Sequence, residues 1–362
     1  MLAHNGEINT IKGNRNLMRA REFSNNHGVW GDRYKDLSPM IQPDMSDSTS
    51  LDNTLQLLSV GGRTCFHGVS MMIPSAWENN PHLPENVRDF YRCHSAMMEP
   101  WDGPAAVAFT DGRYVGGALD RNGLRPCRYK IYEDGNVVLG SEAGLIRDWG
   151  SPVVEAGRLG PGRMIAVDIV GNKFLRDSDI KQVLAAQENY GDWCKRSLTP
   201  LSDLVSEDEA LEPLAVDSKR ITPLRVCNGY STDEEEIVLK PLIQTGQEAI
   251  ASMGDDTPLA VLSSRSRLLF SYFRQLFAQV MNPAIDSLRE RSVMSVKVNL
   301  GGKLGLFEPL SNEHPFITLE SPLLFEHELN AIRKNKIFAG KDVVIDTTFP
   351  ADIDPESFGE EI

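Results

Sequence analysis

The chain has 362 residues, 41% of them hydrophobic and 24% charged. Those are globular proportions, with room for two ordinary domains, and they exclude wholesale disorder. Its formal charge of −14 at pH 7 argues against nucleic acid or an anionic membrane as the main partner. No run approaches the ~20 apolar residues of a membrane span, and the first residues turn polar at once, unlike a secretory leader. The cysteines Cys65, Cys93, Cys127, Cys194 and Cys227 are scattered without CxxC pairing. That disfavours a disulfide framework and any zinc or iron–sulfur site within the chain, and a reducing cytoplasm is the expected compartment.

Leu2-Ala3-His4-Asn5-Gly6 reads as an apolar, strand-like run that reaches a glycine within six residues. A first element this short suggests that an upstream portion is missing. Thr10 to about Ser24 reads as a helix, with Ile11, Leu17, Met18 and Phe23 as its apolar members. A loop punctuated by Pro39 and Pro43 leads to Ser46-Asp47-Ser48. Ser48 or Ser50 is the expected cap of a helix through Leu51, Leu55, Leu57 and Leu58, ending at Gly61-Gly62, with Asp47 just before its N-terminus.

From Gly103 the apolar period changes to two. Ala105–Phe109 and Tyr114–Leu119 flank an Asp111-Gly112 turn, and Arg128–Tyr132 and Val137–Gly140 flank Asp134-Gly135, a pair of hairpin signals. Val153-Val154 and Met164–Asp168 follow as strands, with a turn at Gly171-Asn172. Helices around antiparallel strands predict the α+β class. Trp193 to Pro223 is the best linker candidate, being rich in Ser, Pro, Asp and Glu. Beyond it, Thr232 caps an acidic helix start, Pro258–Ser263 reads as a buried strand, and Arg267–Gln279 as an aromatic helix. This second part is expected to be α/β and runs into an acidic tail after Asp354-Pro355.

Asn5 and Gly6 offer a side-chain amide and a bare backbone N–H to one small volume, the donor pair an oxyanion needs. Asp47 can take the α-ammonium of an amino acid. Each has a plainer reading. Asn-Gly favours a turn on backbone grounds alone, His4 can be a packed histidine, and Asp47 a cap or loop acid. Glu99–Gly103 and Asp120–Pro126 read as turns carrying Arg–carboxylate pairs, and Met253–Thr257 as a loop whose acids face water. No phosphate-cradling glycine loop and no nucleophile elbow occurs.

Taken together and in order, Leu2–Thr10, Ser46-Asp47-Ser48, Glu99–Ala105 and Leu119–Pro126 resemble the class II glutamine amidotransferase domain of the glutamate synthase large chains. Ser252–Ser263 and Tyr272–Pro283 resemble the central domain of that family. The resemblance implies an αββα sandwich of the N-terminal-nucleophile hydrolase type for residues 1–200, truncated here, and the start of an α/β central domain for 201–362. In the family an N-terminal cysteine attacks the amide of glutamine. Asn5 and Gly6 then map onto the oxyanion hole, and Asp47 onto the residue that binds the α-amino group of glutamine. The ammonia released is channelled to 2-oxoglutarate for reductive formation of glutamate.

The resemblance also implies FMN and an iron–sulfur cluster in the parent enzyme, and neither in this chain. As partners it implies the rest of the large chain with its flavin domain and a small NADPH-oxidising subunit. Whether the parent draws electrons from NADPH, NADH or ferredoxin stays open. The cysteine nucleophile and the carboxylate-gripping arginine of the family have no counterpart in this sequence, so an internal fragment, inactive alone, is expected. Two alternatives stand beside it: another class II glutamine amidotransferase, or a non-catalytic piece that binds an amino acid or a partner.

Overall fold

The computed structural model describes residues 2–23, 28–146, 149–205, 218–247, 285–311 and 314–336, with single positions at 249, 262, 264, 338, 343 and 345. The chain opens with β1 (Leu2–Gly6), then α1 (Ile11–Arg21), α2 (Asp47–Val60), α3 (Cys65–Met72) and α4 (Glu85–Met97). A run of strands follows: β2 (Ala105–Thr110), β3 (Tyr114–Leu119), β4 (Arg128–Tyr132), β5 (Val137–Gly140), β6 (Val153–Arg158), β7 (Met164–Asp168) and β8 (Lys173–Leu175). Next come α5 (Asp177–Ala185), α6 (Tyr190–Ser197) and β9 (Leu198–Pro200). By contacts the chain forms two compact units, Met1–Glu207 with Pro283–Ile362, and Asp208–Asn282.

In the first unit, β1, β2, β3, β7 and β8 make a five-stranded sheet in the order β1-β2-β3-β7-β8, antiparallel throughout. Strand alternation gives it two different faces. Val107, Phe109, Ala118, Met164, Ala166 and Leu175 point to the helices, in one core with Leu51, Leu55, Leu58, Phe66, Phe90 and Trp193. Each fully buried side chain of this size contributes roughly 1.5–3 kcal/mol. Leu119 and Ile165 point the other way and pack with Cys127, Leu159, Tyr129 and Leu139. Those partners belong to or flank a three-stranded sheet ordered β5-β4-β6, so helices, first sheet and second sheet are stacked. The fit between the sheets is close at Gly117, where a Cβ would come 2.1 Å from Leu139 Cδ2.

The class is α+β, as expected, but several local expectations need correction. α1 ends at Arg21 and buries Asn14 and Met18, while Leu17 and Phe23 are exposed. Asn14 earns its burial by donating to the Pro100 carbonyl at 3.1 Å. The cap of α2 is Ser46, whose hydroxyl accepts from Thr49 N. Starting there makes Asp47 the first residue of the helix and turns Leu51, Leu55 and Leu58 inward together. The supposed linker after Trp193 begins with the end of α6 and with β9, which is structured.

β9 has a partner far along the chain. α10 (Ser287–Val293), β10 (Val298–Leu300), β11 (Phe316–Leu319) and α11 (Glu326–Lys334) belong to the same unit. β11 pairs antiparallel with β10 and parallel with β9, Leu198 lying opposite Phe316.

In the second unit, α7 (Ser218–Cys227) is followed by α8 (Thr232–Glu234), a π turn over Glu235–Leu239 and α9 (Lys240–Thr245). Ser231, not Thr232, is the cap, in a reciprocal box with Glu234. The wide turn precedes Pro241, whose ring would otherwise meet the Ile237 carbonyl. The strand and helix expected at Pro258–Ser263 and Arg267–Gln279, the Met253–Thr257 loop and the acidic tail lie outside the described residues.

Candidate active site

β1 is the edge strand of the first sheet in this structure, and its alternation separates neighbouring side chains. His4 lies opposite Val107, on the helix side, and Asn5 lies opposite Ala106, which packs with the core between the sheets. Paired residues share a face, so Asn5 leaves the strand toward the second sheet. It is exposed, and its amide has no protein partner among the described residues. Asn5-Gly6 therefore ends a strand rather than making a turn.

Gly6 has φ +153°, and a Cβ there would come 1.7 Å from the Pro104 carbonyl oxygen. The reason is a backbone pressed against it. Glu7 N donates to Pro104 O at 3.0 Å, and Asn9 N to Asp102 O at 2.8 Å. Gly103 answers from the other side, where a Cβ would lie 2.0 Å from the Glu7 oxygen. Only glycines allow the two segments to run this close.

Asp102 is fixed in turn by Arg121, a forked ion pair of Nε and Nη2 with the two carboxylate oxygens. Asp120 is almost fully buried and accepts the N–H groups of Ala105, Asn122 and Gly123 at 3.1, 2.9 and 3.0 Å. Burial raises its pKa against those bonds. The motifs Leu2–Thr10, Glu99–Ala105 and Leu119–Pro126 thus form one hydrogen-bonded assembly, with the Arg–carboxylate pair running between two of them.

Asp47 joins this assembly from the start of α2. Its Oδ2 accepts Ile8 N at 2.9 Å and its Oδ1 accepts Ser48 N at 2.7 Å. His4 Nδ1 lies 3.1 Å from Ser48 Oγ and 3.6 Å from Asp47 Oδ2. Burial works to raise the Asp47 pKa, but the N–H bonds of Ile8 and Ser48 and the nearby His4 outweigh it and hold it below the ordinary carboxylate value. His4 shifts down because burial outweighs the pull of Asp47 and Glu7. The Asp47 side chain keeps 13% of its surface exposed, and its oxygens retain lone pairs for a further cation.

The strand thus links Asn5 and Asp47 without side-chain contact between them. His4 as the bridge to Asp47 was not singled out from sequence, whereas the Arg–carboxylate pair expected of the two turns is the one between Arg121 and Asp102. Four cysteines, Cys65, Cys93, Cys127 and Cys194, are buried. Burial pushes their thiols up, Cys194 to about 12, the opposite of an activated nucleophile.

The family of class-II glutamine amidotransferases matches residues 1–193, and the glutamate synthase central domain matches residues 224–361. The glutamate synthase [NADPH] large chain of Azospirillum brasilense is 43% identical over 99% of this chain. The ferredoxin-dependent glutamate synthase of Pyropia yezoensis is 40% identical over all of it. This chain spans only 23% of the length of each of those relatives. Among solved structures, the glutamine phosphoribosylpyrophosphate amidotransferase of B. subtilis covers 48% of this chain and 28% of its own, at 19% identity and a TM-score of 0.28, too low to carry an argument. With the family match spanning residues 1–193 of 362, the chain belongs to the class II glutamine amidotransferases.

Proposed function

We propose that this chain is part of a glutamate synthase large chain and supplies half of its glutamine-hydrolysing site. Residues 1–200 are then the C-terminal part of the amidotransferase domain and 201–362 the N-terminal part of the central domain. The observation that carries the reading is the fixed relation of β1 to Asp47. One strand carries a free amide at Asn5 and a glycine at position 6, and two residues past that glycine Ile8 N binds the ionised Asp47 at 2.9 Å.

In this reading the amide oxygen of glutamine takes hydrogen bonds from Asn5 Nδ2 and Gly6 N as it gains negative charge, and Asp47 accepts the α-ammonium. Held-in-place donors of this kind cost no reorganisation when the charge forms. The nucleophile is assigned to none of the four buried cysteines, whose thiols are all raised. The stacking of helices on one sheet and that sheet on a second supports an αββα sandwich. The ammonia released would serve the reductive formation of glutamate from 2-oxoglutarate in the whole enzyme, in the cytoplasm.

FMN and an iron–sulfur cluster are implied for that enzyme, and the described cysteines do not fit the cluster. Cys65 N bonds to Asp111, Cys127 sits between the sheets and Cys194 faces the Asp89 carbonyl with only Cys93 near it, and among the described residues no three cysteines, histidines or carboxylates are grouped as ligands. No step is routed through either group.

The test is a chimera in which this chain replaces the matching stretch of the Azospirillum brasilense enzyme. Glutamine-dependent glutamate formation is expected, together with glutaminase activity that Asn5→Ala lowers about 10²–10³-fold. A folded chimera whose glutaminase ignores Asn5→Ala would refute the assignment.

A further inference from the structure

Arg121 also faces a cavity that the glutamine site does not use. The cavity has a volume of about 650 Å³ and is lined by Arg121, Arg163, Lys181 and Arg289 against a single carboxylate, Asp177. In a chain with a net charge of −14, four cations around one acid are unusual. Most of the neutralising capacity is already taken. Asp177 accepts Met164 N on Oδ1 at 3.1 Å and Lys181 Nζ on Oδ2 at 2.9 Å, and Arg121 is committed to Asp102. The Arg289 side chain donates to the Asn122 carbonyl and forms no ion pair among the described residues, and the Arg163 guanidinium has no partner among them. Among the described residues, these two guanidinium groups therefore have no paired carboxylate.

We propose that this cavity is a second ligand site, separate from the glutamine site, that binds a small organic dianion of the short-chain dicarboxylate type. A guanidinium presents a planar fork of donors that matches a carboxylate with two parallel bonds, and two such forks are unused. The volume lies within the ~300–1,000 Å³ of ordinary small-molecule pockets and is larger than a lone inorganic anion needs. The four cations come from separate places: the turn after β3, the turn before β7, α5 and α10. A bound dianion would therefore tie the C-terminal segment of this unit to its first sheet.

The test is calorimetric titration of the full chain with glutarate, inorganic phosphate and the uncharged glutaramide at low salt. Glutarate should bind, phosphate more weakly and glutaramide not detectably, and added salt should weaken glutarate as it screens the charges. Arg163→Gln and Arg289→Gln should each weaken glutarate about tenfold, a loss of one charged hydrogen-bonding fork. Arg33→Gln, on the surface and paired with Asp36, should leave it unchanged. Circular dichroism of each variant checks that it folds. Unchanged glutarate affinity in the folded Arg163→Gln/Arg289→Gln double variant, or phosphate binding tighter than glutarate, overturns the proposal.

Discussion

The guanidinium of Arg63 lies 5.4 Å from the centre of the Phe307 ring. Arg63 also donates to the neighbouring Leu306 carbonyl, across 243 positions of sequence. Beneath the ring is Gly61, where a Cβ would come 2.1 Å from Phe307 Cε1. Leu304 and Leu306 are buried in the same core as α2, α3 and α4, and Leu304 N donates to Ala96 O at 3.2 Å. The family match ends at residue 193, yet the helix layer of that region is finished by residues beyond 300.

This contact predicts a coupled pair. Gly61→Ala should destabilise by about 1–3 kcal/mol through overpacking against the ring, and Phe307→Ala by about 2 kcal/mol through lost packing. In the Phe307→Ala background the Gly61→Ala penalty should nearly vanish, because the atom it strikes is gone. Urea unfolding of the four proteins checks this, and strict additivity would mean the two residues do not touch.

Asn5→Ala, in the chimera, should lower kcat for glutamine hydrolysis about 10²–10³-fold, the cost of one oxyanion donor, with little change in KM. Steady-state glutaminase kinetics measure it. Because the Asn5 amide has no partner among the described residues, Tm should stay within a degree or so of the parent. A large fall in Tm would assign Asn5 to the fold instead.

Asp47→Asn should fall mainly on KM, since a carboxylate binding an α-ammonium acts in ground and transition states alike. An amide oxygen can still accept Ile8 N, so the strand–helix connection should survive. A des-amino analogue of glutamine should lose little from the same change. Equal losses for both substrates would show that Asp47 serves the fold alone.

The buried pair of His67 and His94 predicts acid lability. Their Nε2 atoms are 2.9 Å apart, and His94 Nδ1 donates to Phe90 O at 2.7 Å, so His67 is the donor between the rings and both are neutral. Burial drives His94 down to about 3 and His67 well below its ordinary value, with the Arg63 charge adding to both. The unfolded chain then binds more protons below the unperturbed value of about 6.5, and stability is lost as pH falls through that value toward the folded ones. Between pH 7 and pH 5 the His94 shift alone should cost about 2 kcal/mol, and His67 adds to the loss in the same direction. In His94→Gln the slope of unfolding free energy against pH over this range should halve. An unchanged slope would clear the pair.

Motif spacing made more of the candidate site legible than element prediction did. Asn5, Gly6 and Asp47 were readable because they stand in fixed order with Glu99–Ala105 and Leu119–Pro126, and the structure joins those segments by backbone contact at Gly6 and Gly103. The bridge through His4 was not readable, since a histidine in an apolar strand carries no sign of what it will meet 44 positions later. Hairpins announced themselves through Asp111-Gly112 and Asp134-Gly135, where turn chemistry is local. Ser46 was missed as a cap because three serines compete within five positions and only packing of Leu51, Leu55 and Leu58 decides among them. α4 went unread although Val87, Phe90, Tyr91 and Met97 follow a helical period. β9 had no local signal at all: its three residues are a strand because β11 lies beside them.

That last pairing has a consequence for the order of synthesis. Leu198 and Phe316 are separated by 118 residues, which a ribosome adding about 5–20 residues per second takes roughly 6–24 s to cross. Through that interval β9 has left the ribosome with no neighbour, and the seats of Leu304 and Leu306 among the helices stand open. A nascent chain in this window presents an unpaired strand edge beside exposed apolar surface, the combination most prone to capture by another chain. Expression at lower temperature or with a ribosome-associated chaperone should therefore raise the soluble yield of this protein more than any change to its completed surface.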